Sequence, residues 1–201
     1  LIQGGKELMP LDKYFFSVIY GWLQDKYGLS WQIFHNPDTD KAEISPNLLF
    51  SSSVNGKAEE AISFYTNSFP NSETIYINRY NENEASAPEA KINYAEFALD
   101  SMKLTAMDNA NSVDYSFNEA ISFMVRCKNQ EEIDYYWNLR SNDREAEQCG
   151  WLKDKYGLSW QIVPDFLDDA MFDASQELID KITKVFLPMK KLDYDKLKNT
   201  L

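Results

Sequence analysis

A thirteen-residue segment occurs twice in this chain with one substitution. Residues 21–33 read GWLQDKYGLSWQI, and residues 150–162 repeat this string with Lys153 in the place of Gln24. The offset of 129 residues is much longer than the units of about 20 to 50 residues that build solenoid proteins. The repeat therefore indicates a duplicated domain, and we expect the module of the first copy to begin upstream of Leu1.

Composition places the chain among globular proteins and argues against several classes of partner. Apolar residues make up 44% of the sequence and aromatic residues 14%, enough for a substantial core. The net charge is −12, and the sequence has no dense basic cluster. We therefore expect the chain to bind neither nucleic acid nor anionic membrane surfaces. The sequence contains no stretch typical of a signal peptide or membrane span, which predicts a cytoplasmic protein.

Cysteine and histidine usage limits the available chemistry. Cys127 and Cys149 are the two cysteines, and we expect both to be reduced, buried and unreactive. His35 is the single histidine and begins a polar, proline-containing segment, so we expect it in a solvated loop. A metal site built from several histidines is excluded within this chain. A catalytic site that pairs a nucleophile with a histidine would have to use His35.

Hydrophobic periodicity predicts an α+β fold in which a strand, a helix and further strands occur twice. The predicted strands are 47–53, 73–80, 91–99 and 103–107 in the first half, and 120–126, 147–152 and 158–163 in the second. Residues 141–146 are the candidate for the remaining strand. The sequence predicts a helix over 57–68 with Asn55 or Gly56 as its cap, and a helix over 130–140 with Asn129 as its cap. In the tail, it predicts a helix capped by Asp173 and a short helix over 194–199. Residues 14–20 and 29–34 predict a hairpin, and residues 154–157 a turn with glycine at positive φ.

Three segments resemble the vicinal oxygen chelate superfamily, also called the glyoxalase/bleomycin-resistance superfamily. They are KAEEAISFY (57–65), FNEAISF (117–123) and EQCGWLKDKYGLSWQIVP (147–164). They are similar to the PhnB-like branch, whose domain is often labelled "3-demethylubiquinone-9 3-methyltransferase". The resemblance implies paired βαβββ modules that form a cupped mixed sheet over residues 44–164. Residues 1–34 would then be the C-terminal part of a preceding module, 35–46 a linker and 165–201 a helical tail.

The resemblance also implies positions for a divalent metal ion. Enzymes of the superfamily hold the ion with His, Gln or Glu side chains on the first and last strand of each half. On this chain the positions fall near Asn47, Glu96, Ala120 and Gln161. Alanine cannot ligate a metal, and an amide oxygen is a weak ligand. We therefore expect no metal cofactor, and the alternative is a divalent metal whose ligands are completed from elsewhere.

Strand alternation places a mixed set of side chains on the face that would line the cup. The set comprises Asn47, Leu49, Tyr94, Glu96, Ser122, Met124, Ser159 and Gln161. Such a concave face is typical of a small-molecule site, and the alternative is a wet cleft without a ligand. Glu96 is the candidate catalytic residue, a general base if it is buried with few partners. The structural alternative is a carboxylate hydrogen-bonded to Gln161.

These features predict a domain that binds a small organic molecule without a catalytic metal, as the bleomycin-resistance members sequester a ligand. The alternative is a metal-dependent lyase, isomerase or dioxygenase of the same superfamily. Methyl transfer is disfavoured, because no glycine-rich loop joins a strand to a helix. Exposed strand edges in residues 1–34 predict a homodimer or strand exchange.

Overall fold

The computed structural model describes residues 1–14, 16–35, 37, 41–172 and 174–201. The chain divides into two units, Leu1–Ile44 and Ser45–Leu201. No helix of the described residues is long and apolar enough to cross a membrane. Of the segment predicted as a linker, residues 36 and 38–40 lie outside the described residues, and the remaining ones form neither helix nor strand.

The first unit is a three-stranded antiparallel sheet. In the order β1-β2-β3, its strands are Lys6–Tyr14, Ser17–Gln24 and Ser30–Phe34. The predicted hairpin corresponds to β2 and β3. Strand β1 was not predicted because it lacks apolar alternation; most of its side chains are exposed and its pairing with β2 is irregular.

The first half of the second unit has all four expected strands. They are β4 (Asn47–Phe50), β5 (Glu73–Arg79), β6 (Ile92–Leu99) and β7 (Met102–Asp108), in the spatial order β4-β7-β6-β5. Strand β4 runs parallel to β7, and the other pairs are antiparallel. Helix α1 (Ala58–Thr66) follows β4 and packs on the sheet through Ala61, Ile62 and Tyr65.

The second half has three strands instead of four. They are β8 (Ser122–Cys127), β9 (Trp151–Lys153) and β10 (Ser159–Pro164), in the order β8-β10-β9, with helix α2 (Gln130–Arg140) between β8 and β9. The placement of a strand within residues 141–146 is wrong. That segment is rich in Ser, Asn and Asp and forms turns, in which the Asp143 side chain accepts a hydrogen bond from the Glu145 amide. The predicted α+β class is confirmed.

The two long helices begin in different ways. Asn129 caps α2 as predicted, since its side chain accepts a hydrogen bond of 2.8 Å from the Glu132 amide. The predicted caps of α1, Asn55 and Gly56, are wrong. Lys57 occupies the N-cap position, but its side chain accepts no capping hydrogen bond. Instead, the Asp108 carboxylate of β7 accepts a hydrogen bond from the Ala58 amide.

The tail forms three helices that pack on the second half. They are α3 (Leu167–Phe172), α4 (Gln176–Phe186) and α5 (Tyr194–Lys198). Their buried side chains Leu167, Ile182 and Leu197 form a cluster with Val163 of β10. Asp173, the predicted cap, lies outside the described residues, and Ser175 accepts the capping hydrogen bond of α4 from the Leu178 amide.

The structure distinguishes the two cysteines. Cys127 is buried at the end of β8, where burial raises the pKa of its thiol to about 12. Cys149 is half-buried, so the expectation that both cysteines are buried is wrong for this residue. His35 is exposed, as predicted.

Candidate binding site

The second unit exposes one face of each sheet and buries the other. Along β6, Ala95 and Phe97 are fully buried, whereas Tyr94 and Glu96 between them are half-buried. The same alternation holds along β4, and in the second half the apolar rows pack toward the helices. The exposure of seven of the eight candidate residues agrees with the predicted alternation, whereas Ser159 at the start of β10 is 1% exposed.

The register of the first half corrects the position of Glu96. Asn47 of β4 lies beside Thr105 of β7, and Thr105 lies beside Glu96 of β6. The last strand of this half is β7, so Thr105 occupies the position that the superfamily implied for Glu96. The assignment failed because β6 and β7 form a hairpin in which both strands present polar side chains at matching register.

The second half repeats this arrangement with different residues. Ser122 of β8 lies beside Ser159 of β10, and Met124 lies beside Gln161. The Gln161 side-chain amide donates a hydrogen bond of 2.8 Å to the Ser122 hydroxyl. Ala120, the implied position on the first strand, lies in a turn before β8.

Strand register joins the first and last strand of each half in residue pairs, which we group into two rows. The first row is Asn47, Thr105, Ser122 and Ser159, and the second row is Leu49, Met107, Met124 and Gln161. Sequence reasoning missed Thr105 and Met107; the hairpin register of β7 was the signal that could have found them. All eight side chains are neutral, and the described residues contain no cluster of three or more His, Cys, Asp or Glu that could hold a metal ion.

Two buried polar atoms of the first row lack a hydrogen-bond partner among the described residues. They are the side-chain oxygen Oδ1 of Asn47 and the hydroxyl oxygen of Ser159. Most buried polar atoms in proteins are hydrogen-bonded to protein or to water. Both atoms belong to the predicted set, so the first row offers unused hydrogen-bonding capacity.

Glu96 has partners of its own on this face. Its Oε1 accepts a hydrogen bond of 2.8 Å from the Tyr94 hydroxyl, and its Oε2 lies 3.8 Å from Lys103 Nζ. The predicted pairing of Glu96 with Gln161 is wrong, because Gln161 donates to Ser122 instead. The condition set for a general base, burial with few partners, is not met.

Comparison with known proteins identifies the family. The family described as "3-demethylubiquinone-9 3-methyltransferase" matches residues 42–163. The chain belongs to this family. The predicted membership of the PhnB-like branch of the vicinal oxygen chelate superfamily is confirmed.

Several solved structures are similar to this PhnB-like chain. A putative 3-demethylubiquinone-9 3-methyltransferase, PhnB protein, from Bacillus cereus is 32% identical, with a TM-score of 0.51 over 61% of this chain and 99% of that one. A Pseudomonas aeruginosa protein is 19% identical (TM-score 0.47, 62% and 98% coverage). The fosfomycin resistance protein FosX of Listeria monocytogenes is 14% identical (TM-score 0.42, 66% and 98% coverage). No curated protein matches the sequence.

The PhnB-like module also has a cavity of 350 Å³ on its helical side. It is lined by residues of α1, the turn that follows α1, and α2, together with Lys155, and it contains none of the eight candidate residues. Behind it, the guanidinium of Arg140 donates to the Ser68 hydroxyl and stacks on Phe69 and Trp160 at 4.4 and 4.8 Å from their ring centroids. Burial lowers the pKa of Arg140 to about 10. We interpret this arginine as part of the core.

Proposed function

We propose that this PhnB-like module binds a small organic molecule on the half-exposed face of its two sheets, without a catalytic divalent metal. The donor set of the two rows carries the proposal. The rows offer amide, hydroxyl and thioether groups, and Tyr94 and Glu96 lie on the same face. Such groups can orient a polar organic ligand by hydrogen bonds on a partly apolar surface.

The residues do not fit the metal that the superfamily implies. Mg²⁺ and Mn²⁺ prefer carboxylates, and zinc, iron and nickel prefer histidine, cysteine or carboxylate ligands. The two rows supply neutral oxygen and sulfur atoms instead. The carboxylate of Glu96, on the same face, lies beside the cationic Lys103, which opposes the approach of another cation.

The unused capacity of the first row supports a particular kind of ligand. The Asn47 oxygen can only accept a hydrogen bond, and the Ser159 hydroxyl can donate or accept one. A ligand that donates a hydrogen bond, such as an alcohol or an amide, would satisfy Asn47. Its apolar part would contact Leu49 and Met124.

The proposal is tested on protein purified without a chelator. We expect elemental analysis to find far less than one divalent metal per chain, and mass spectrometry of the denatured protein to detect a released organic molecule. Ser159→Ala should retain less of that molecule, whereas the control Ser63→Ala, on the helical side, should retain as much as the wild type. A stoichiometric metal, or equal retention by both variants, would contradict the proposal.

A second candidate is a metal-dependent enzyme, and the carboxylate of Glu96 on the same face favours it. Its ligands would be Glu96, Gln161 and groups from elsewhere. This candidate predicts a stoichiometric metal that Glu96→Gln removes and Glu59→Gln, on α1, leaves in place. The same elemental analysis therefore separates the two functions.

Methyl transfer, which the family description names, is not part of the proposal. The connection between β4 and α1 contains the single glycine Gly56, and the connection between β8 and α2 contains none. A nucleotide-like methyl donor is usually held by a glycine-rich turn at such a junction. Neither connection supports this mode of binding.

A further inference from the structure

The repeated segment folds into the same hairpin in both units, the first hairpin over residues 21–33 and the second hairpin over residues 150–162. In the first hairpin, Asp25 accepts hydrogen bonds of 2.9 and 3.0 Å from two backbone amides of the turn. In the second hairpin, Asp154 accepts the two equivalent bonds at 2.9 and 3.1 Å. The predicted glycine turn is confirmed in both copies, with φ of +83° at Gly157 and +89° at the equivalent glycine.

The second hairpin adds two side chains to the half-exposed face of its sheet. Trp151 of β9 lies beside Gln161, and Lys153 lies beside Ser159. Cross-strand neighbours point to the same side of a sheet, and Leu152 between them is buried on the opposite side. Trp151 and Lys153 therefore share the face of the two rows, and Lys153 continues the first row beyond Ser159.

The single substitution in the repeat falls on this face. Gln24 of the first hairpin is the equivalent of Lys153 and lies beside Ser30. Its side-chain amide donates a hydrogen bond of 2.9 Å to the Gly28 carbonyl within the hairpin. The second copy thus carries a cation where the first copy carries a neutral amide that is bonded to its own turn.

The serine hydroxyl of this face also differs between the two copies. In the first hairpin, the Trp22 indole donates a hydrogen bond of 2.6 Å to the Ser30 hydroxyl. In the second hairpin, Trp151 occupies the position of Trp22, but the Ser159 hydroxyl has no hydrogen-bond partner among the described residues. A buried hydroxyl without a partner is costly, and a ligand atom beside Ser159 would remove this cost.

Lys153 has a partner that a ligand can replace. Its ammonium group forms an ion pair with Glu119, which lies in the turn before β8. The hydrogen bond from Lys153 lowers the pKa of the Glu119 carboxyl. The Glu119 side chain is 63% exposed, whereas that of Lys153 is 25% exposed. Since an exposed ion pair contributes little stability, a ligand carboxylate can take the place of Glu119 at little cost.

We propose, on the basis of the proposed function, that Lys153 and Ser159 form a subsite for an acidic group and that the organic ligand is a carboxylate. The Lys153 ammonium would exchange the Glu119 carboxylate for that of the ligand, and the Ser159 hydroxyl would donate a hydrogen bond to it. Because Ser159 is 1% exposed, the acidic group reaches it only after the ion pair of its neighbour Lys153 opens. A hydroxy acid or an amido acid would also supply the donor that Asn47 requires.

A purely structural ion pair predicts a different behaviour. If Lys153 served only to fix Glu119, removal of the Glu119 charge would leave ligand binding unchanged or weaken it. As part of a subsite, Lys153 binds a carboxylate more tightly once Glu119 no longer competes for it. The Glu119→Gln variant therefore separates a binding role from a structural one.

The probes are hydroxyisobutyrate and its neutral amide, hydroxyisobutyramide, titrated into the full chain and followed by NMR. They share a hydroxyl group and two methyl groups and differ in charge. The variant Lys153→Gln gives the second hairpin the sequence of the first, so it is compatible with the fold. The control Lys155→Gln removes a lysine of the same hairpin that pairs with Glu60 on the helical side.

We expect the wild type to bind the acid about fivefold more tightly than the amide, as a partly exposed ion pair allows. Lys153→Gln should abolish this preference, and Lys155→Gln should retain it. Glu119→Gln should tighten binding of the acid and leave binding of the amide unchanged. The control Glu131→Gln, an exposed residue of α2 with the same change of charge, should tighten neither.

Three results would overturn the acidic subsite. They are equal affinities of the wild type for the acid and the amide, a preference that Lys153→Gln retains, and an affinity for the acid that Glu119→Gln does not increase. If both probes bind equally and Ser159→Ala weakens both, the proposed function stands without the acidic subsite. Binding of neither probe would also overturn the subsite, and the retention of released molecules by Ser159→Ala would still decide the proposed function separately.

Discussion

Asp25 and Asp154 show how burial alone changes the electrostatics of one local motif. Both carboxylates accept the same indole and backbone hydrogen bonds. In the first hairpin, where Asp25 is half-buried, the bond from Trp31, followed by the backbone bonds, lowers the pKa of Asp25. At the buried site, desolvation outweighs the bonds from Tyr65 and Trp160 and raises the pKa of Asp154. The carboxyl group of Asp154 is therefore held in place against a cost of burial.

We predict that Asp154→Ala destabilises the protein much more than Asp25→Ala. The first substitution leaves the Tyr65 hydroxyl and the Trp160 indole buried without their acceptor, which should cost about 3 kcal/mol of unfolding free energy. Asp25 is only half-buried, and water can replace it as an acceptor. Urea unfolding of both variants tests this, and equal losses for the two substitutions would show that burial does not distinguish the hairpins.

At the scale of elements, Asp108 joins three segments of the first half. One carboxylate oxygen accepts from the Ala58 amide at the start of α1, and the other accepts from the amides of Lys91 and Ile92 at 3.0 and 2.9 Å. The side chain is fully buried at the end of β7. A residue of the sheet thus performs the capping role that a local side chain performs in α2.

We predict that Asp108→Ala is more destabilising than Asn129→Ala, although both remove a helix cap. Loss of the Asn129 cap should cost about 1 kcal/mol. Loss of Asp108 leaves three backbone amides without their acceptor and should cost about 3 kcal/mol. Thermal unfolding of the two variants measures the difference. A loss at Asp108 no larger than that at Asn129 would mean that water reaches these amides.

The sequence predicted those features that depend on neighbouring residues. Strand alternation placed Tyr94 and Glu96 on the same face of β6, and Asn129 was identified as the cap of α2. Features that depend on distant pairing were missed. The acceptor for Ala58 lies fifty residues away at Asp108, and the neighbour of Asn47 is set by the β4–β7 register, which places Thr105 there and Glu96 one strand further.

At the scale of the second unit, one set of polar contacts joins the two halves across α1 and the second hairpin. Glu60 accepts hydrogen bonds from Lys155 and Tyr156, and Tyr65 donates to Asp154. The bond from Lys155, followed by that from Lys57, lowers the pKa of Glu60 to about 2. Ionised Glu60 is therefore favoured by the folded state.

This linkage predicts how acid affects the junction between the halves. Because the folded-state pKa of Glu60 lies below its ordinary value of 4.5, its contribution is present above pH 4.5 and is lost as the pH falls toward 2. Asp154 acts in the opposite direction, since its raised pKa favours the folded state on acidification. The response of the wild type alone would mix the two effects.

A comparison with Glu60→Gln isolates Glu60, because the amide can still accept from Tyr156 but cannot form the ion pair. Glu60 and Lys155 are about half exposed, so solvent screening should limit the difference in unfolding free energy to less than about 1 kcal/mol. We expect urea unfolding to show the wild type as more stable at pH 6 and the two proteins as equal near pH 2. A difference that stays constant over this range would mean that ionised Glu60 does not stabilise the junction.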